Sequence, residues 1–555
     1  MSRNRLRGLA ATVSAIILLS GLVIVPGVSA TEPYSIEQKV TEAGTSHYGI
    51  STAVSGTTAI VGSYWAPQAA YVYVRSGDTW TKQQTITHTE GSASDMFGFA
   101  VDIDGDTLVI GAPQHEHSAL LSAGAAYVYV RSGSTWSLQQ KLVATDAGTY
   151  DFFGHSVSLQ GDTVVIGAAA AETTEGDNRG AAYVFTRSGS TWTQTQKLTA
   201  AGTTAPGLAD DSFGHSVALS GDRIAVGAPY ADPNGEAFAG RVYTYARSGG
   251  TWSFDEHIQA ATPVTYHYVG RDIALDGATL LVGAFGGPGA ANMYVDTASG
   301  WTLQQTLLQP DYTPGSYFGY TVDLYGDTAV IDAQYADGGS VQDAGAVYVF
   351  TRSGSTWTYL KTLYAADGAL SDRLGACAVG PGVVTAGAEW GASATGKAYF
   401  FSTPTPPVTL APVYRFYNFT NNTHFFTSSL DEANSVILNY PKVFRYEGIC
   451  YYTNPANNTQ PLYRFYNRVS ASHFYTASLD EANHILATWP HIFTLDGQTY
   501  AVNPAPVPNS VPVYRFFNLT NGSHFYTSSA EEADMVIATW PTIYSYEGPA
   551  FWIGQ

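Results

Sequence analysis

Apolar runs of five or six residues alternate with glycine-marked turns through most of the chain, and the order of runs and turns repeats every 49 to 60 residues. Each period opens on an aromatic-Gly pair and passes a glycine turn such as "DIDGDT". It then runs through an all-apolar stretch such as "LVIGAP", a variable loop, an alternating stretch such as "AAYVYV" and the turn "RSGST". The opening pair stands at Tyr48-Gly49, Phe97-Gly98, Phe153-Gly154, Phe213-Gly214, Phe318-Gly319 and, in degenerate form, at Val269-Gly270 and Leu374-Gly375, which makes seven copies. Four strand-like runs per copy at this period predict the blades of a β-propeller.

The local chemistry supports that division. Gly105 and Gly161 stand where two-residue hairpins need a positive φ, and Gly133 and Gly189 do the same in the later turn. The alternation of Tyr127 and Tyr129 with Val128 and Val130 predicts a strand with two different faces, whereas "VVIGA" predicts one buried between blades. Trp80, Trp136, Trp192, Trp252, Trp301 and Trp357 lead the last strand of six copies, and the seventh copy lacks it. The segment "YSIEQKVTEAG" near the N-terminus matches "WSLQQKLVATDAG" from Trp136. A strand at about Ile36 to Val40 is therefore expected to complete the last blade, leaving no orphan edge.

The pairs Phe97-Gly98 with Gly111-Ala112-Pro113, and Phe213-Gly214 with Gly227-Ala228-Pro229, resemble FG-GAP repeats, the family that builds the seven-bladed propeller of integrin α chains. The resemblance spans roughly residues 35 to 402 and implies that fold. Some integrin-like blades hold calcium in a "DxDxDG" loop, but the turns here, "DIDGDT", "LQGDTV", "LSGDRI" and "LYGDTA", lack the ligand count, so the likeness is to a calcium-poor bacterial branch and no metal is expected. Acidic groups also fall in the variable loops, at Glu172, Glu175 and Asp177, at Asp232, Asn234 and Glu236, and at Asp337 and Asp343; solvated charge is the reading taken.

A different repeat follows a Pro-rich linker, residues 403–412. "VYRFYNFTNNTHFFTSSLDEAN" from Val413 recurs as "LYRFYNRVSASHFYTASLDEAN" from Leu462 and "VYRFFNLTNGSHFYTSSAEEAD" from Val513. Each copy reads as a strand, a polar turn, a second strand, a short helix and a returning hairpin. Ser429 with Glu432, Ser478 with Glu481 and Ser529 with Glu532 form capping boxes, and Pro441, Pro490 and Pro541 follow the helices. A unit of about 50 residues cannot bury its aromatics alone, so residues 413–555 are expected to form one pseudo-threefold domain. These copies resemble a "YRFYN…HFYT" family of unknown function found at the ends of secreted microbial proteins. Tyr417, Tyr466 and Phe517, followed in register by His424, His473 and His524, are candidate carbohydrate contacts; the other reading places the aromatics in the core at the axis.

Residues 1–30, with three arginines, an apolar run and "VSA", read as a secretory signal, so residues 31–402 form the mature propeller. Without those arginines the net charge of −20 becomes about −23, a surface that repels nucleic acid and anionic lipid. Cys377 and Cys450 are the only cysteines and are expected to be buried free thiols. Sequons stand at Asn418, Asn421, Asn457, Asn518 and Asn521. Catalytic motifs are missing: "HEH" at His115 lacks the spacing of a zinc protease, and "GHSVS" and "GHSVA" lack the second glycine of a nucleophile elbow. The expectation is a mainly β, secreted, monomeric and non-enzymatic adhesion protein that needs no cofactor. Its partner is a glycan, a cell wall or another surface protein, and no membrane span remains after signal cleavage. A polysaccharide-active enzyme with its site in the propeller, or a surface-coat protein, are the alternatives.

Overall fold

The computed structural model describes residues 32–42, 44–88, 92, 94–172, 179–200, 211–338, 341–390, 396–404, 411–453, 460–507 and 510–554. Two compact units divide between residues 405 and 406.

The first unit is a seven-bladed β-propeller of seven four-stranded antiparallel sheets. In six blades the strands run in chain order, as in Val101–Asp104, Thr107–Ala112, Ala125–Ser132 and Thr135–Leu142 of blade two. The seventh takes Gly375–Gly380, Val383–Ala388 and Lys397–Ser402 from one end of the unit and Ile36–Val40 from the other, paired Ile36 to Ser402 through Val40 to Ala398. The glycine turns have the φ they require, +57° at Gly105 and +55° at Gly161.

The alternation in "AAYVYV" sorts side chains between neighbouring blades, and both faces are buried. Tyr127 and Tyr129 pack with Ile60 and Val72 of blade one, while Ala126 and Val128 pack with Phe153 and Tyr183 of blade three. The blades are also joined by repeated polar clasps. The Gln140 amide donates to the Trp192 carbonyl at 2.8 Å and accepts from its N–H at 2.7 Å, as Gln84 does with Trp136 and Gln305 with Trp357. Along the inner strands, Asp102 accepts the N–H of Leu159 at 2.6 Å, Ser158 that of Leu219 at 3.0 Å and Asp323 that of Val379 at 2.7 Å. These buried main-chain donors need partners, and the preceding blade's side chain supplies them.

The second unit contains three copies of a strand–strand–helix–strand repeat. Instead of a returning hairpin, one long strand comes back to the far edge of the first, giving sheets in which Ala411–Asn418 lies between Thr423–Thr427 and Phe444–Thr453. The copies share one core, in which Val413, Phe426, Leu462, Tyr475, Val513 and Tyr526 meet. A small satellite core under each helix is exemplified by Phe416, Phe425, Ala433 and Val436. The Ser429 hydroxyl caps its helix by accepting the N–H of Glu432 at 3.1 Å. The reciprocal arm of the capping box is replaced: the Ser429 N–H goes to the Thr427 hydroxyl at 3.0 Å, and the Glu432 carboxylate pairs with Arg464 of the next repeat at 2.9 Å.

Candidate functional site

The residue immediately after each aromatic-Gly pair lies within two residues of the start of an inner strand. In chain order these residues are Ile50, Phe99, His155, His215, Arg271, Tyr320 and Ala376, six kinds of side chain among seven copies of one repeat position. All seven line a cavity of about 270 Å³ on the propeller axis, together with Asp272, Thr321, Asp332, Gln334, Arg373 and Glu389, and Tyr320 and Arg271 mark its polar side. His155 and His215 meet edge to face at 4.6 Å, and Phe99 continues the row at 5.2 Å from His155. Burial, followed by the Arg271 charge, pushes the His155 imidazole down to about 4 and that of His215 well below the ordinary histidine range. Both rings are therefore neutral hydrogen-bonding groups at neutral pH.

Arg271 donates to the Tyr320 hydroxyl at 2.6 Å and lies over its ring at 4.2 Å. Arg373 stacks on Tyr335 at 4.4 Å and on Trp390 at 5.0 Å. The Arg373 Nε is buried without a hydrogen-bond partner among the described residues. Asp332 is fully buried; one carboxyl oxygen accepts the N–H of Thr321 at 2.6 Å and the other has no hydrogen-bond partner among the described residues. Burial above all lifts its pKa to about 7, and Asp272, itself lifted to about 6 by burial, adds to the effect.

A series of aromatic rings adjoins the cavity-lining residues, Trp390 against Arg373 and Tyr320 against Phe285. Trp65 is 56% and Trp390 47% exposed, and His47 stands between them with its centroid 5.1 Å from Trp390. Tyr335, Tyr317, Phe285 and Tyr268 follow at centroid spacings of 4.7 to 5.2 Å. An enclosed set of mixed donors and acceptors beside an apolar series of rings suits a hydroxyl-rich ligand with apolar C–H faces. The serines of "GHS" serve the scaffold: Ser156 donates to the Gly214 carbonyl at 2.9 Å and Ser216 to that of Gly270 at 3.0 Å.

Each C-terminal candidate pair is formed, and each lies at a boundary between repeats. Tyr417 faces His424 across the strand pair at 5.3 Å between centroids, Tyr466 faces His473 at 5.4 Å and Phe517 faces His524 at 5.2 Å. The histidines do not converge: His424 packs on Phe525, His473 on Phe425 and His524 on Phe474. Their Nε2 atoms lie 3.2, 3.1 and 3.3 Å from Glu447, Asp496 and Glu547. Beside them, Arg415 pairs with Glu532, Arg464 with Glu432 and Arg515 with Glu481, closing a ring of repeat-to-repeat ion pairs. Tyr417, Tyr466 and Phe517 are half-buried, outside the shared core.

The remaining sequence candidates have local roles. His115 is buried, with Nδ1 2.5 Å from Asp95 and Nε2 2.6 Å from Lys141, while His88 meets the Tyr127 hydroxyl at 2.6 Å. His88, Asp95 and His115 have the donor types of a metal group. Blade three has the simpler form of this arrangement, in which Asp151 accepts the N–H of Gly148. Asp232 accepts the N–H of Phe238 at 2.7 Å and Asp337 that of Asp343 at 3.2 Å; Glu175 and Asp177 lie outside the described residues, as do Asn457 and residues 1–30. In the turns, Asp106 pairs with Arg131 and Asp104 accepts the N–H of Gly161. Asn418 and Asn518 are buried and accept the N–H groups of their own sequon threonines at 2.8 Å. Cys377 is buried and free; Cys450 is also free but only half-buried, because it lies on the returning strand beside the Val413 carbonyl rather than in a blade interface.

The axial site is hidden in the sequence because every blade contributes only a few of its residues, and the contributions stand about 50 residues apart. Its signal was present as contrast: one repeat column that varies, and a "VIDA" where the other copies have glycine.

The family model described as FG-GAP repeat matches residues 80–129, 136–185, 192–245 and 301–350. The one described as domain of unknown function (DUF5648) matches residues 412–554. The chain thus carries FG-GAP repeats followed by a separate DUF5648 domain. No curated protein matches the sequence. Among solved structures, a chain titled "Crystal Structure of Mitotic Checkpoint Complex" is 13% identical, with a TM-score of 0.42, over 71% of this chain and 99% of that one.

Proposed function

We propose that this is a secreted, non-enzymatic, glycan-binding protein that acts as a monomer, with the propeller as interaction scaffold and its axial cavity as the saccharide site. The C-terminal module attaches it to carbohydrate or to a cell envelope through the half-buried pairs Tyr417–His424, Tyr466–His473 and Phe517–His524. FG-GAP repeats support the scaffold role. The observation that carries the axial site is the loss of repetition there. A ring position that would serve the scaffold equally well with one residue type instead holds two neutral histidines and an arginine, near exposed Trp65 and Trp390. Export is supported by the arginines and apolar run of residues 1–30, and no described helix is long and apolar enough to cross a membrane.

The test is binding of the purified chain to gluco-, manno-, galacto- and xylo-oligosaccharides and to insoluble cell-wall polysaccharide, with each incubation analysed for products. Arg271→Ala is expected to weaken soluble-saccharide binding about tenfold or more, since it removes a charged donor from a desolvated site. New reducing ends or unsaturated products would reverse the non-enzymatic reading in favour of a polysaccharide-active propeller. Retained affinity in Arg271→Ala would move the site elsewhere.

A further inference from the structure

Six of the seven blades have glycine at the same point of the second strand: Gly62, Gly111, Gly167, Gly227, Gly283 and Gly387. At each, a Cβ would sit far inside van der Waals contact with the carbonyl of the next blade's aromatic-Gly glycine, at Gly98, Gly154, Gly214, Gly270, Gly319 and Gly49. Blade six has Asp332 instead. Its neighbour Gly375 has moved out of the left-handed conformation that the other six pair glycines keep, at φ between +82° and +95°. The inner hairpin that follows, "LGACAVGPG", is one residue shorter than "FGFAVDIDGD". A side chain at Gly375 would collide with the free oxygen of Asp332, so the bare Cα there is what leaves that oxygen room.

The ring has thus been rebuilt around a buried carboxyl with an unused acceptor at the cavity wall, an arrangement that costs stability and that the glycine of the other blades avoids. Sites that bind or react are where such costs persist. We propose that Asp332 is the ligand-reading group of the axial site, its free oxygen accepting a hydroxyl of the saccharide unit that lies against this wall of the cavity. The inference rests on the saccharide reading of that site. Arg271, Asp272, Tyr320, Thr321, Gln334 and Arg373 line the same cavity and supply the remaining donors and acceptors.

The experiment measures affinity, by calorimetry on the oligosaccharide panel named above, and thermal stability for the full chain and for Asp332→Asn and Asp332→Gly. Asn keeps the acceptor for the Thr321 N–H; Gly restores the residue of the other six blades. The expected result is an affinity lower by about 10- to 100-fold in both variants, with the melting temperature unchanged or higher. Wild-type affinity in Asp332→Gly overturns the assignment, as does a marked fall in melting temperature in both variants, which would make the carboxyl a structural group. A wild-type chain that binds no saccharide on the panel overturns the reading of the site itself, and the ligand assigned to Asp332 with it.

Discussion

Gln38 holds Trp80 from both sides: its amide donates to the Trp80 carbonyl at 2.6 Å, and the Trp80 N–H donates to the Gln38 oxygen at 2.7 Å. The two residues belong to the last and first blades, so the clasp made at four other junctions, by Gln84, Gln140, Gln196 and Gln305, here joins the ends of the ring. At the junction before it Tyr34 takes the place of the missing tryptophan, buried among Val349, Leu374 and Tyr399, and Lys361 reaches the Pro33 carbonyl at 3.1 Å. Deleting residues 31–42 should open the ring and lower the melting temperature by on the order of 10 °C, and Gln38→Ala alone should cost about 1–2 kcal/mol. Calorimetric scans check both, and an unchanged melting temperature in the deletion would refute closure.

The second-strand glycines should not tolerate a methyl group. Gly111→Ala would place a Cβ against the Gly154 carbonyl, a backbone atom that cannot swing away. Overpacking of this kind is expected to cost about 3 kcal/mol or more. Urea titration measures it, and a loss under about 1 kcal/mol would show that the blades can separate locally.

The threefold core lacks one hydroxyl. The Tyr475 hydroxyl bonds both the N–H and the carbonyl of Phe426, and that of Tyr526 does the same for Tyr475, at 2.9 to 3.0 Å. Phe426 meets Tyr526 at 6.0 Å with no hydroxyl to complete the set. Phe426→Tyr is expected to stabilise the C-terminal unit by about 1 kcal/mol, read from its own unfolding transition. Destabilisation would mean that the space beside the third ring is closed.

Asp102 should make stability depend on pH. Burial lifts its carboxyl to about 7, although it accepts the N–H groups of Leu159 and Ile103. The folded state therefore holds this proton more tightly than the unfolded chain does. The group's contribution is fully present below the unfolded carboxyl range near 4 and is lost as pH rises through about 7. Asp102→Asn cannot ionise, so its melting temperature relative to the wild type should be higher at pH 8 than at pH 5. A difference independent of pH would mean that the carboxyl titrates normally in the fold.

The three aromatic–histidine pairs should act additively in attachment. Changing Tyr417, Tyr466 and Phe517 to Ala one at a time in the full chain should weaken binding to insoluble cell-wall polysaccharide in steps, because equivalent weak sites combine by avidity. Pull-down assays follow the binding and thermal melts the fold. If each single change unfolds the second unit, the rings belong to the repeat interfaces alone.

Much of this architecture is written locally, and local features are legible in a sequence. The φ demand at Gly105, the alternation of Tyr127 with Val128, the serine cap at Ser429 and the match of "YSIEQKV" to "WSLQQKL" each act over a few residues. Seven and three recurrences made each of them unambiguous. What tertiary structure decided is everything that depends on a neighbour. Glu432 reads as one half of a capping box, yet Arg464 in the next repeat offers it a full charge, and a charge-assisted bond outweighs a local main-chain one. The histidine of each repeat could be placed beside its own tyrosine or phenylalanine by sequence register, but not against the phenylalanine of another repeat. The axial site lay furthest from view. His155, His215, Arg271 and Tyr320 stand about 50 residues apart and become neighbours only because the blades close into a ring. A periodic sequence announces the positions that repeat, which hold the scaffold; the site is built from those that do not, and only closure of the ring brings them together.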